Sequence, residues 1–172
     1  MNPELYALSL IDWQFFASLT FKSERLTDAV RIKLFFALMR SQAQNFGVHF
    51  KQTIWCLRTE RGEATGRLHF HALIAGFPKH APTTATCFSW MRIWEQLGGG
   101  MARVSVYSPR LDGVGYVLKG GDEEYRRAGG DFYETRKFGG RCDVMLSESI
   151  FRVLAGRRQI GGRRRRGQRE AE

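Results

Sequence analysis

The chain has 172 residues, with 27 Lys and Arg against 17 Asp and Glu, for a formal net charge of +10 at pH 7. At 43% hydrophobic and 13% aromatic, it has the means to bury a core and reads as one folded domain. No apolar run approaches the ~20 residues of a membrane span. MNPELYALSLID lacks the basic start of a secretory signal, and no GxxxxGK[ST] phosphate loop is present. The three cysteines, Cys56, Cys87 and Cys142, have no CxxC spacing. That argues against a disulfide framework or a thiolate zinc site and fits a reducing cytoplasm.

The charge is uneven. Residues 157–172 carry seven arginines against Glu170 and Glu172, half of the net charge. Their one large apolar residue is Ile160, so 156–172 is expected to be a disordered Arg-rich tail and 1–155 the folded domain. Such a tail adds salt-sensitive phosphate contacts that carry no sequence information.

In chain order, FFASLTF at 15–21 is short and aromatic-rich and reads as a buried strand. After it, Val30, Leu34, Phe35, Leu38 and Met39 follow helical spacing, with Thr27 or Asp28 as the cap and Gly47 as the stop. KQTIWCLRTE at 51–60 and RLHFHALIA at 67–75 read as two strands joined by the turn RGEATG. TATCFSWMRIWEQL at 84–97 reads as a helix ended by the glycines at 98–100, and ARVSVY at 102–107 as a fourth strand. DGVGYVLK at 112–119 reads as a short helix and VMLSESIFRVL at 144–154 as a last one. The order β-α-β-β-α-β implies an α+β fold of the ferredoxin-like, split βαβ plan. It has a central antiparallel sheet, helices on one face and the other face open.

Alternation then places the polar residues. Leu68, Phe70, Ala72 and Ile74 suit the core, so His69 and His71 share the opposite face. In the preceding strand Arg58 and Glu60 lie opposite to Thr53, Trp55 and Leu57. If Glu60 pairs with His69, Arg58 pairs with His71, and directly opposed Cβ atoms sit ~5 Å apart. Two imidazoles and a carboxylate with open positions suit Mg²⁺ or Mn²⁺ bridging to a phosphate, although Zn²⁺ fits the same donors. Glu63, in the turn, is the rival carboxylate. Downstream, Tyr116 and Lys119 are three apart, on one helical face. A phenol of pKa ~10 is a poor nucleophile, and a nearby ammonium or metal favours its phenolate. Either motif alone has an ordinary structural explanation; together they form a phosphate-transfer constellation. Arg103, Ser105 and Tyr107 alternate with Val104 and Val106 and, with Arg58, are candidate contacts to a nucleic acid.

The ordered set FxSLTF, E-RGEATGRL-HFH and GYVLKGG resembles the three-motif pattern of the HUH (His-hydrophobic-His) endonucleases. The nearest likeness is to the rolling-circle replication initiators of small bacterial plasmids and phages. The resemblance covers 15–121. It implies an open sheet that binds single-stranded DNA or an origin hairpin, and a divalent-metal site at His69, His71 and Glu60. It also implies a nicking tyrosine, Tyr116, with Lys119 beside it. Where some members carry a second tyrosine this chain has Lys119 and Gly120, so a single-tyrosine enzyme is expected. Some members also carry a helicase domain, which 172 residues cannot accommodate beside this one, so host helicase and polymerase are expected to complete replication in the bacterial cytoplasm. Related chemistry in a mobilisation relaxase or single-strand transposase, and a non-catalytic module of the RNA-recognition type, are the alternatives.

Overall fold

The computed structural model describes residues 3–61, 66–111, 113–118 and 144–153. The expected α+β fold is present, built on a five-stranded antiparallel sheet. Its elements are α1 (Pro3–Ser9), β1 (Phe15–Phe21), α2 (Asp28–Asn45), β2 (Ile54–Arg61), β3 (Leu68–Ala75), α3 (Thr84–Gln96), β4 (Gly99–Val106), α4 (Gly113–Leu118) and β5 (Val144–Leu146). The spatial order is β4-β1-β3-β2-β5, which is the split βαβ arrangement with one strand added at the β2 edge. Lys119, Glu63, Cys142 and the tail 156–172 lie outside the described residues. Among the described residues, no helix is long and apolar enough to cross a membrane.

The long helices form as their sequences dictate. The Thr27 hydroxyl accepts from the Val30 amide (3.4 Å), and the Thr83 hydroxyl accepts from the Thr86 amide (3.1 Å). Such caps are typically worth about 1 kcal/mol each. Helices α2 and α3 cover one sheet face. There Phe15, Ala17, Leu19, Leu57, Phe70, Ala72 and Ile74 pack with Phe35, Leu38, Trp90 and Trp94 in the main core. Rings meet edge to face, as at Phe21–Phe70 (4.9 Å) and Phe35–Trp55 (5.4 Å), an arrangement favoured by the ring quadrupoles.

Three features depart from the sequence reading. The fourth strand starts at Gly99, within the glycines read as a helix stop. A Cβ on Gly99 would lie 2.3 Å from the Trp94 indole, and one on Gly100 would lie 2.7 Å from the Thr20 hydroxyl oxygen. Gly99 therefore lets the strand pass close beneath α3, and Gly100 lets it close on the end of β1. Residues 144–146 are a strand, not the start of the last helix. Val144, Met145 and Leu146 pair with Arg58, Leu57 and Cys56. Ser147 then bonds Trp55 through both its amide and its hydroxyl before residues 148–153 turn helical.

The third departure concerns the face read as open. Leu8, Ile11 and Trp13 from the N-terminal segment, Val114 and Val117 from α4, and Ile150 pack there over Cys56, Leu73 and Ala75. The strands explain this division. At one end their residues on this face are apolar (Phe16, Ile54, Cys56, Leu73, Ala75); at the other they are polar (Ser18, Thr20, Arg58, Glu60, His69, His71). Short helices cover the apolar half, and α4 ends at the border of the polar half.

Candidate metal centre and its tyrosine

The β2–β3 hairpin has the register expected from the sequence, with Glu60 opposite His69 and Arg58 opposite His71. Glu60 Oε2 lies 3.2 Å from His71 Nε2 and 3.9 Å from His69 Nε2. One donor atom from each of the three residues falls within 4.8 Å of the other two. This group can hold a metal ion.

The hydrogen bonds around the group fit that use. His69 Nδ1 lies 3.2 Å from the Arg67 carbonyl oxygen. A carbonyl only accepts, so in the neutral ring Nδ1 carries the proton and Nε2 presents its lone pair to Glu60. His71 Nδ1 lies 2.9 Å from the Ser18 hydroxyl, and buried His71 Nε2 faces Glu60 Oε2 at 3.2 Å without the alignment of a good hydrogen bond. A bare imidazole nitrogen and a carboxylate oxygen repel each other unless a proton or a cation lies between them. Donors bound at ~2.1 Å with angles near 90–109° stand about 3.0–3.4 Å apart, and the Glu60–His71 separation falls in that span. The polar partners on the two Nδ1 atoms orient the rings, as outer-shell groups do at histidine metal sites.

His71 is almost fully buried. Burial, with His69 and Arg58 adding to it and Glu60 opposing, lowers its pKa from 6.5 to about 4. The ring is therefore neutral, the state a metal ligand requires, over the physiological range.

Tyr116, on α4, stands against this centre. Its ring meets the His71 ring edge-on at 4.9 Å and the Phe16 ring at 6.0 Å. It is 41% exposed, so the ring is seated on one side and reachable from the other. Helix α4 is fixed through buried Val114 and Val117, and at Gly113, where a Cβ would come 2.8 Å from the Tyr107 ring.

The remaining sequence candidates divide. Arg103 and Ser105 are exposed on β4, and Arg103 is across from Ser18, in line with His71 and Arg58. Tyr107 lies past the end of β4 and packs against the second apolar cluster. Arg58 Nη1 donates to the Val117 and Tyr116 carbonyls. The sequence reading missed Ser18 and Phe16, which both touch His71. The available signal was the polar phase of FFASLTF, which puts Ser18 on the histidine face.

No protein-family model, no curated protein and no solved structure matches this chain.

Proposed function

We propose that this chain is a single-tyrosine endonuclease of the HUH type, which nicks single-stranded DNA at an origin to initiate rolling-circle replication. The observation that carries the reading is the Tyr116 ring packed on His71, itself one of three donors converging with His69 and Glu60. A metal-type donor set alone fits many roles. A half-exposed phenol in contact with one of its ligands fits attack on a phosphate held beside it.

Mg²⁺ or Mn²⁺ bound by Glu60, His69 and His71 would supply a Lewis acid for the scissile phosphate. The Tyr116 oxygen attacks phosphorus, the P–O3′ bond breaks, and the 3′ oxygen leaves to become a hydroxyl that can prime synthesis. A 5′-phosphotyrosine remains on the protein. One phosphodiester replaces another, so a second 3′-hydroxyl can reverse the step without ATP. Lys119, three residues beyond Tyr116 in sequence, lowers the cost of the phenolate or offsets the charge that builds on phosphorus. His71 holds the Tyr116 ring, and Ser18 holds His71. Arg103 and Ser105, exposed in line with the centre, contact the single strand, and the Arg-rich tail adds non-specific phosphate contacts. Host helicase and polymerase act on the nicked product in the bacterial cytoplasm.

The test is incubation of the full chain with Mn²⁺ and a random pool of single-stranded oligonucleotides, followed by recovery and sequencing of protein-linked DNA. The reading predicts adducts sharing one sequence and lost with EDTA. Binding without any adduct would favour a non-catalytic nucleic-acid module instead.

A further inference from the structure

The arginine opposite His71 has two reachable roles, a hand for DNA phosphate or a brace for the protein. Its contacts distinguish them. Arg58 Nη1 lies 3.2 Å from the Val117 carbonyl oxygen and 3.5 Å from that of Tyr116. Both carbonyls belong to α4, at the end away from Gly113. An α4 of six residues is too short to be stable by itself. Val114 and Val117 seat its underside and Gly113 its start. The end that carries Tyr116 is met by the Arg58 guanidinium, a cation at the negative pole of the helix dipole.

We propose that Arg58 is a positioning residue, which clamps the end of α4 to β2 and so holds the Tyr116 ring against His71. The strand register makes this clamp specific. Arg58 sits directly opposite His71 on β3, so one cross-strand pair supplies both the ring that Tyr116 packs on and the cation that fixes its backbone. The neighbour on the other side, Val144 of β5, is apolar. The planar guanidinium can reach two adjacent carbonyls, whereas a lysine ammonium acts as a single point charge.

This inference rests on the reading of Tyr116 as the nucleophile for its consequence, but not for its geometry, and the experiment separates the two. The full chain is prepared with 3-fluorotyrosine in place of Tyr116 alone, as wild type, Arg58→Gln and Arg58→Lys. Fluorine NMR is recorded without DNA. The same substitutions in the unlabelled protein are assayed for adduct formation with Mn²⁺ and for oligonucleotide affinity. In Arg58→Gln the fluorine resonance should move toward that of free fluorotyrosine, and the adduct rate should fall about 100-fold, as for a misplaced reacting group. Affinity should change less than about threefold, since no phosphate contact is lost. Arg58→Lys should be intermediate in both resonance and rate, and it decides the case if the Gln variant does not fold. An unmoved resonance, or affinity weakened about tenfold with an unchanged rate, would overturn the proposal in favour of a phosphate ligand. Wild type that forms no adduct would sink the nuclease reading, and the fluorine spectra would still decide the clamp.

Discussion

Acid should destabilise the metal-free protein through His71. The ring is buried, its Nδ1 is engaged by Ser18, and its pKa is lowered from 6.5 to about 4. Between those values the unfolded chain binds a proton at this position that the folded chain does not. The stabilisation from holding the ring neutral is therefore complete above 6.5 and is lost as pH falls toward the folded value. With these two pKa values the loss is about 0.8 kcal/mol at pH 6, about 2 at pH 5 and about 3 at pH 4. The assay is urea unfolding in EDTA across that range, comparing wild type with His71→Asn, whose amide can still bond Ser18. The variant starts less stable, because it leaves space where the ring was, but its stability should fall less steeply with acid by about 3 kcal/mol over the range. Bound metal should deepen the wild-type slope, because protons and metal compete for one lone pair. Parallel slopes for the two proteins in EDTA would mean that His71 titrates alike in the folded and unfolded states, contrary to its burial.

Two further outcomes test the scaffold and the outer shell. Gly99→Ala places a methyl 2.3 Å from the fully buried Trp94 indole and should destabilise by about 2 kcal/mol or more; an unchanged urea midpoint would contradict the close passage of β4 beneath α3. Ser18→Ala removes the partner of His71 Nδ1 and should weaken Mn²⁺ binding about 10-fold or more, read by electron paramagnetic resonance; equal affinity would mean that Ser18 does not orient the ring.

The parts of this site legible in the sequence are those set by local rules. Period-two alternation put His69 and His71 on one face, and a short connection between two strands left few registers, so Glu60 opposite His69 and Arg58 opposite His71 could be read directly. Ser18 could not be read that way. Its place depends on the pairing of β1 with β3, fifty-three residues away in sequence, which no local pattern encodes. The second apolar layer was hidden for a related reason. Ile54, Cys56, Leu73 and Ala75 make the strands apolar on both faces at one end, but what covers them comes from three separate short segments. Gly99 and Gly100 read as a helix stop because glycine usually acts as one; their actual roles depend on the Trp94 ring above Gly99 and on Thr20 and Phe21 of β1 beside Gly100, which are tertiary facts. Val144 and Met145 fit either helix or strand, and the open edge of β2 decides for strand.

The proposed nicking step joins Tyr116 covalently to DNA beside the Glu60, His69 and His71 centre. It is tested most directly by peptide mass spectrometry on the protein–DNA adduct formed with Mn²⁺, after nuclease trimming. A nucleotide phosphate is expected on the peptide that contains Tyr116, with no adduct from Tyr116→Phe although the variant still binds the oligonucleotide. A phosphotyrosine elsewhere in the chain, or an undiminished adduct in Tyr116→Phe, would contradict it.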